Sequence, residues 1–139
     1  MKLFLDTNVI LDIALDRKPF VDHAILLWRL AEQKKIVGCL SNTSITDIFY
    51  IIRKHAGSEK ARDFIADILD TFKLVDMDED GFREALNSDM ADFEDAVQYV
   101  IALRNNCDAL ITRNKTDFGN KANIFGPEEI LQQIARHRT

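Results

Sequence analysis

Cysteine and histidine are scarce in this 139-residue chain, two and three respectively, and neither makes a metal-ligand pattern. His23, His55 and His137 lie far apart and pair with no cysteine motif, which argues against a zinc site. Cys39 sits in the apolar run Ile36-Val37-Gly38-Cys39-Leu40 and Cys107 just before another, so both read as small core residues in a reducing compartment. Glycine and proline are also few, five and two, which argues against a disordered or low-complexity chain. No apolar run approaches the ~20 residues of a membrane span. The opening Met1-Lys2-Leu3-Phe4-Leu5-Asp6 is too short in apolar residues for a signal peptide, so a cytoplasmic protein without membrane contacts is expected. Basic charge is in deficit: 18 Lys and Arg stand against 23 Asp and Glu, for a net charge of −5. Such a balance argues against a protein that coats nucleic acid through bulk positive potential.

What is present is a folded composition, 47% hydrophobic and 29% charged. Residues 1–139 are expected to form one compact domain, burying roughly two-thirds of the surface of the unfolded chain. Lys2 to Leu5 reads as a short buried strand that ends abruptly at Asp6-Thr7-Asn8, residues suited to caps and turns, with a helix from Val9. Pro19 is placed to open a second helix through Lys34. Ile36 to Leu40 suits a second strand, followed by a helix carrying Ile45, Ile48, Phe49 and Ile52. Gly57 then supplies a stop and Ser58 a new N-cap for a helix with Ala61, Phe64, Ile65, Ile68, Leu69 and Phe72 at i, i+3, i+4 spacing. Lys73–Met77 suits a strand, Glu79–Asn87 and Asp92–Asn105 suit helices, Ala109–Thr112 and Asn123–Phe125 suit strands, and Pro127 opens a last helix through Arg136.

Short apolar strands alternating with helices predict βαβ units, hence an α/β fold, a three-layer α/β/α sandwich with a mainly parallel central sheet. Sites in such folds lie at the carboxyl ends of strands. Asp6 follows the first strand directly and Thr112 to Asp117 follows a later one, so both are expected on the same edge. Carboxylates gathered there repel by about 4 kcal/mol per close pair at an effective dielectric of ~20. A cluster of them therefore implies a cation, and oxygen donors without His or Cys favour Mg2+ or Mn2+. A net negative charge is compatible with a nuclease that holds its metal this way.

The stretch Leu3-Phe4-Leu5-Asp6-Thr7-Asn8-Val9-Ile10 resembles the opening of PIN domains, a ribonuclease family that includes the VapC-type toxins of toxin–antitoxin pairs. Asp92-Phe93-Glu94-Asp95-Ala96 and Leu110-Ile111-Thr112-Arg113-Asn114-Lys115-Thr116-Asp117-Phe118 resemble later motifs of that family, in the same order, and the likeness covers nearly the whole chain. One departure is Asp47, in Ser44-Ile45-Thr46-Asp47-Ile48, where the family usually carries Glu. The resemblance implies an Mg2+- or Mn2+-dependent endoribonuclease with Asp6, Asp47, Asp95 and Asp117 in its active site. Asp6 and Asp95 would be the principal metal ligands, Asp117 a further one, and Asp47 would position or activate water. Thr112 and Asn114 would orient these groups or touch phosphate, Asp92 would support Asp95 from the same helix face, and Arg113, Lys115, Arg53 or Lys54 would meet substrate phosphates. The implied partners are an RNA substrate, a cognate antitoxin lying across the acidic pocket, and a second copy in a homodimer.

Structural duties compete with each of these roles. Asp6 and Asp92 can cap helices, Asp47 can lie on a solvated face and Asp117 in a turn. Arg53-Lys54-His55 and Arg136-His137-Arg138 suit helix C-termini, and Trp28 and the nine Phe suit core packing more than base stacking. Two other functions stay open. A haloacid-dehalogenase-type phosphatase also has its nucleophilic Asp after the first strand, but needs a second Asp where this chain has Asn8. A non-catalytic PIN-like module that binds RNA or protein is favoured by Asp47 itself.

Overall fold

A computed structural model describes residues 1–137. Five strands, β1 (Lys2–Leu5), β2 (Val37–Ser41), β3 (Lys73–Val75), β4 (Ala109–Ile111) and β5 (Ile124–Phe125), form one sheet in the order β3-β2-β1-β4-β5. Every neighbouring pair is parallel, as the alternation of strands and helices predicts. Helices α1 (Thr7–Ala14), α2 (Val21–Glu32), α3 (Ile45–Ala56), α4 (Ser58–Thr71), α5 (Glu79–Leu86), α6 (Phe93–Arg104) and α7 (Pro127–His137) connect the strands or follow them.

Strand alternation builds the layers. Leu3 and Leu5 of β1 and Ile111 of β4 face a core shared with α1, α2, α3, α4 and α7, which includes Ile10, Leu27, Ile48, Ile68 and Ile130. Phe4, Cys39 and Leu110 point to the other face, against Val97, Val100 and Ile101 of α6 and Ala85 of α5. The sheet is thus covered on both sides, the three-layer arrangement expected. Trp28 belongs to the first core, stacked edge-on against Phe72 at a centroid distance of 4.9 Å. Gly38 lets that ring approach the sheet: a Cβ there would stand 2.5 Å from Phe72.

Several boundaries depart from expectation. The second helix begins at Val21, and Pro19 lies in the preceding turn, where the Arg17 carbonyl accepts from the Val21 amide at 2.9 Å; the Lys18–Pro19 peptide is cis. Ser58 is the first helical residue of α4; the cap is Gly57, at φ 92°, which also ends α3 and so serves both helices. The first helix starts at Thr7 because the Asp6 carboxylate accepts from the Asn8 amide, at 3.4 Å. Strand β3 stops at Val75, two residues short of Met77. Both cysteines are free, Cys39 buried and Cys107 half-buried. Arg136 and His137 end α7, whereas Arg138 and Thr139 lie outside the described residues. Among the described residues no helix is long and apolar enough to cross a membrane.

Candidate active site

Strand order fixes where the chemistry sits. The chain runs from β1 outward to β2 and β3 on one side, then returns to β4 and β5 on the other, so the order reverses between β1 and β4. A crevice opens at such a reversal, beyond the carboxyl ends of the strands. Asp6 follows β1 there and Thr112 follows β4, and the Asp6 amide donates to the Ile111 carbonyl at 2.9 Å, extending the pairing to the last residue.

Asp6 is 4% exposed, and donors from three elements hold its carboxylate. The fully buried Thr112 hydroxyl donates to Oδ2 at 2.8 Å, the Gln98 amide of α6 donates to Oδ1 at 3.2 Å, and the Asn8 amide of α1 makes the longer contact already described. Thr112 Oγ1 in turn accepts from the Asn114 amide at 3.1 Å, and Gln98 Oε1 accepts from the Thr7 amide at 3.3 Å. A buried carboxylate requires such partners, and here they fix its orientation.

Asp95 lies in the first turn of α6, a favourable place for a negative charge. Asp92 caps that helix, accepting from the Asp95 amide at 3.0 Å. The Asp95 carboxyl is nevertheless pushed up from 3.8 to about 6, first by burial and then by the charges of Asp92, Asp6, Asp117 and Glu94. Burial and the surrounding carboxylates thus both disfavour a charge on Asp95.

Asp6, Asp47 and Asp95 line one cleft of about 580 Å3, with Ser44, Tyr50 and Gln98 also in its wall. Asp47 is exposed in the first turn of α3 and is not among the charges that act on Asp95. Asp117 does not line this cleft. It is exposed on a short 3-10 turn, Lys115–Phe118, and borders a neighbouring depression with Asp89 and Met90, from which its charge reaches Asp95.

The expected phosphate contacts are not all brought to the cleft. Arg113 donates to the buried Asp12 from Nε at 2.9 Å and from a terminal nitrogen at 3.3 Å, and its guanidinium lies 4.2 Å from the Phe20 ring centroid. Arg17 pairs with the same carboxylate at 3.6 Å. Arg113 thus braces the loop after β4 against α1 and lines a separate depression beside Pro19 and Pro127. Lys115 pairs with Glu129 at 3.2 Å. Arg53 and Lys54 lie over the ring of Tyr50, a cleft residue. Sequence reasoning missed Gln98 and Ser44. Gln98 stands one turn beyond Asp95 on the same helix face, and Ser44, buried, shares a 2.8 Å hydroxyl contact with Thr7 one turn before Asp47, so helical spacing was the available signal.

Among the described residues, no three of His, Cys, Asp and Glu converge closely enough to hold a metal ion. The donor chemistry nonetheless suits a hard divalent cation: the cleft offers carboxylate and hydroxyl oxygens with no thiol or imidazole, and the repulsion at Asp95 is what a cation would relieve.

A family model described as PIN domain matches residues 2–116. Ribonuclease VapC1 of Aquifex aeolicus (strain VF5) is 23% identical over 137 residues, covering 95% of this chain and 94% of that protein. Among solved structures, a toxin–antitoxin complex from Klebsiella pneumoniae aligns with a TM-score of 0.69 at 18% identity, over 90% of this chain and 97% of the other. VapC20 of Mycobacterium tuberculosis, a Sarcin-Ricin loop cleaving toxin, aligns at 0.65 and 16% identity, over 84% and 95%. Likeness at these identities shows the fold.

Proposed function

The chain belongs to the PIN domain family, and we propose from this that it is a hydrolase of RNA phosphodiester bonds, an endoribonuclease that uses Mg2+ or Mn2+ and serves as the toxin of a toxin–antitoxin pair. The observation that carries the reading is the pairing across the β1/β4 crevice: Asp6, held by Thr112 and Gln98, faces the same cleft as Asp95.

Asp6 and Asp95 would hold the cation, with Asp117 as a further ligand from the neighbouring loop. Bound there, a divalent ion supplies Lewis-acid polarisation of the phosphodiester and acidifies water. The chain's own groups do the rest. Thr112 and Gln98 keep both oxygens of Asp6 directed, so no reorientation is needed when substrate arrives. Asp47, exposed at the rim, can accept a proton from a water entering the cleft, and one methylene less than Glu shortens its reach. Asn114 is tied to Thr112 through its amide, which supports an orienting role rather than a direct one. Arg113, bound to Asp12, is better assigned to holding the loop than to phosphate. RNA as substrate and an antitoxin partner follow by analogy with the relatives, and the family resemblance adds a cytoplasmic location, an antitoxin tail over the cleft and a second copy of the chain.

The test is cleavage of total RNA in Mg2+ by wild type and by Asp95→Asn. Cleavage by the first and not the second is expected; equal cleavage by both refutes the site. A second reading, a PIN module that binds RNA or protein without cutting, is favoured by the lack of a converged acidic triad among the described residues. Mg2+ titration separates the two, since no binding in the millimolar range, with Asp6→Asn unchanged, would favour the module. The phosphatase alternative is displaced by the family assignment, and Asn8 stands where its second Asp is required.

A further inference from the structure

The wall of the acidic cleft contains more exposed aromatic surface than a sealed core requires. Tyr50 of α3 is 51% exposed and Phe93, the first residue of α6, 48% exposed, and both border the cleft that holds Asp47 and Asp95. Half-exposed aromatic rings in the wall of a cleft leave apolar faces free to meet a ligand. Tyr50 also carries cations: the Arg53 guanidinium carbon lies 5.7 Å and Lys54 Nζ 5.3 Å from its ring centroid. Among the described residues neither cation has an ion-pair partner, unlike Arg104, Arg113 and Lys115.

Spacing along α3 orders these groups. Asp47, Tyr50 and Lys54 are three and then four residues apart, hence on one helix face, and span about 10 Å along the helix at 1.5 Å per residue. A carboxylate, an aromatic ring and a cation thus follow one another along α3, the first two in the wall of the cleft and the cation beyond it. We propose that Tyr50 is the stacking platform for one unpaired base of a single-stranded RNA segment, with Arg53 and Lys54 binding the phosphate beside it. The inference rests on the RNA reading above and adds to it the residues that seat the substrate. It also resolves the charge conflict of an acidic cleft receiving a polyanion. The strand is anchored at the rim by stacking, which is indifferent to charge, and by two unpaired cations, so that only the reacting phosphate approaches the carboxylates. A base within a duplex cannot present its face to Tyr50.

The experiment titrates the intact chain into a short single-stranded RNA carrying 2-aminopurine, in EDTA so that no cleavage intervenes, and follows quenching of the stacked base. Wild type and Tyr50→Phe are expected to quench equally, and Tyr50→Ala to lose the quenching and bind about tenfold more weakly, the usual scale of one base stacked on an aromatic ring. The same RNA annealed to its complement is expected to give no quenching. Arg53→Ala and Lys54→Ala should each reduce the slope of log affinity against log salt by about 0.7. In Mg2+, Tyr50→Ala should raise KM about tenfold with kcat nearly unchanged. Quenching and affinity unaltered in Tyr50→Ala, equal binding of the duplex, or no binding by wild type overturns the proposal. Because Tyr50 is half exposed, its variants are expected to melt like wild type, and a circular dichroism melt verifies this. The two readings fail separately: Tyr50-dependent quenching by a chain that never cuts RNA sinks the nuclease, whereas cleavage indifferent to Tyr50 sinks the platform.

Discussion

Replacing Asp95 by Asn is expected to stabilise the metal-free protein while abolishing cleavage. The carboxyl ordinarily ionises near 3.8 and in the folded chain near 6, so the folded state disfavours the charged form and binds the proton more tightly than the unfolded state does. The sign follows: through this group, stability is full below about pH 3.8 and falls as pH rises through about 6. Each pH unit of that difference is worth about 1.36 kcal/mol in full, but the side chain is partly exposed, and solvent screening reduces the total to about 1 kcal/mol at pH 7. Asn keeps the shape, loses the charge and breaks no side-chain hydrogen bond, since the helix cap is made by Asp92 to the backbone. For a domain of this size about 1 kcal/mol raises Tm by roughly 3 °C. The assay is thermal melting in EDTA at pH 7 and pH 5. Asp95→Asn should melt higher at pH 7, the gap should fall by about half at pH 5, and near pH 4 it should close. Added Mg2+ should then raise the Tm of wild type and leave that of the variant nearly unchanged. A variant that melts no higher than wild type at pH 7, or a gap independent of pH, would refute the claim that like charge and burial converge on Asp95.

Thr112→Val removes the hydroxyl that donates to Asp6 at 2.8 Å, leaving a buried carboxylate short of a partner; a loss of about 2 kcal/mol in denaturant melts and a marked fall in cleavage are expected. Asp12→Ala leaves Arg113 without its carboxylate, and because that guanidinium keeps some exposure the expected cost is about 2 kcal/mol, with phosphate affinity little changed if Arg113 is a brace and not a substrate contact. Asp47→Ala should leave stability within about 0.5 kcal/mol, since the side chain is exposed, yet lower cleavage of RNA. Asp47→Glu, which restores the longer side chain common in the family, should equal or exceed wild type in kcat; a variant with no cleavage would show that reach is not what position 47 supplies.

The sheet was legible because its strands are short apolar runs closed by polar residues. Leu3-Phe4-Leu5 ends at Asp6 in the sequence and in the structure alike, and the i, i+3, i+4 spacing from Ala61 to Phe72 became α4. Boundaries set by tertiary contacts were not legible. Pro19 has the right identity to open a helix, but the Arg17 turn delays α2 to Val21. Gly57 caps α4 through a left-handed conformation that sequence assigns only to the stop before it. The same division runs through the site. Asp6, Asp95 and Thr112 follow strand ends or open a helix, where pattern alone singles them out. Gln98, Tyr50 and Asp12 stand at no strand end and open no helix, so pattern alone does not single them out. The roles of Gln98 and Asp12 depend on β4 lying beside β1, which brings Arg113 to Asp12 across 101 positions and Gln98 to Asp6 across 92.

The sheet order also explains why two aspartates of one cleft live under opposite conditions. Asp6 stands at the reversal itself, where β1, β4 and α6 meet, so each contributes a donor or a wall and the carboxylate is buried and directed. Asp95 comes from one helix end facing that junction. It is partly buried and receives the charges of its neighbours, with no side-chain donor to it among the described residues, while the helix N-terminus favours its ionisation. One acid is therefore fixed in position and the other held in electrostatic tension, at the same crevice and from the same topology. A ligand bringing positive charge gains most by contacting both, because it then meets an oriented oxygen pair on one side and relieves repulsion on the other. The stability sacrificed at Asp95 is in this sense the counterpart of the order at Asp6, and a variant that makes the protein more stable there should make it less able to bind a cation.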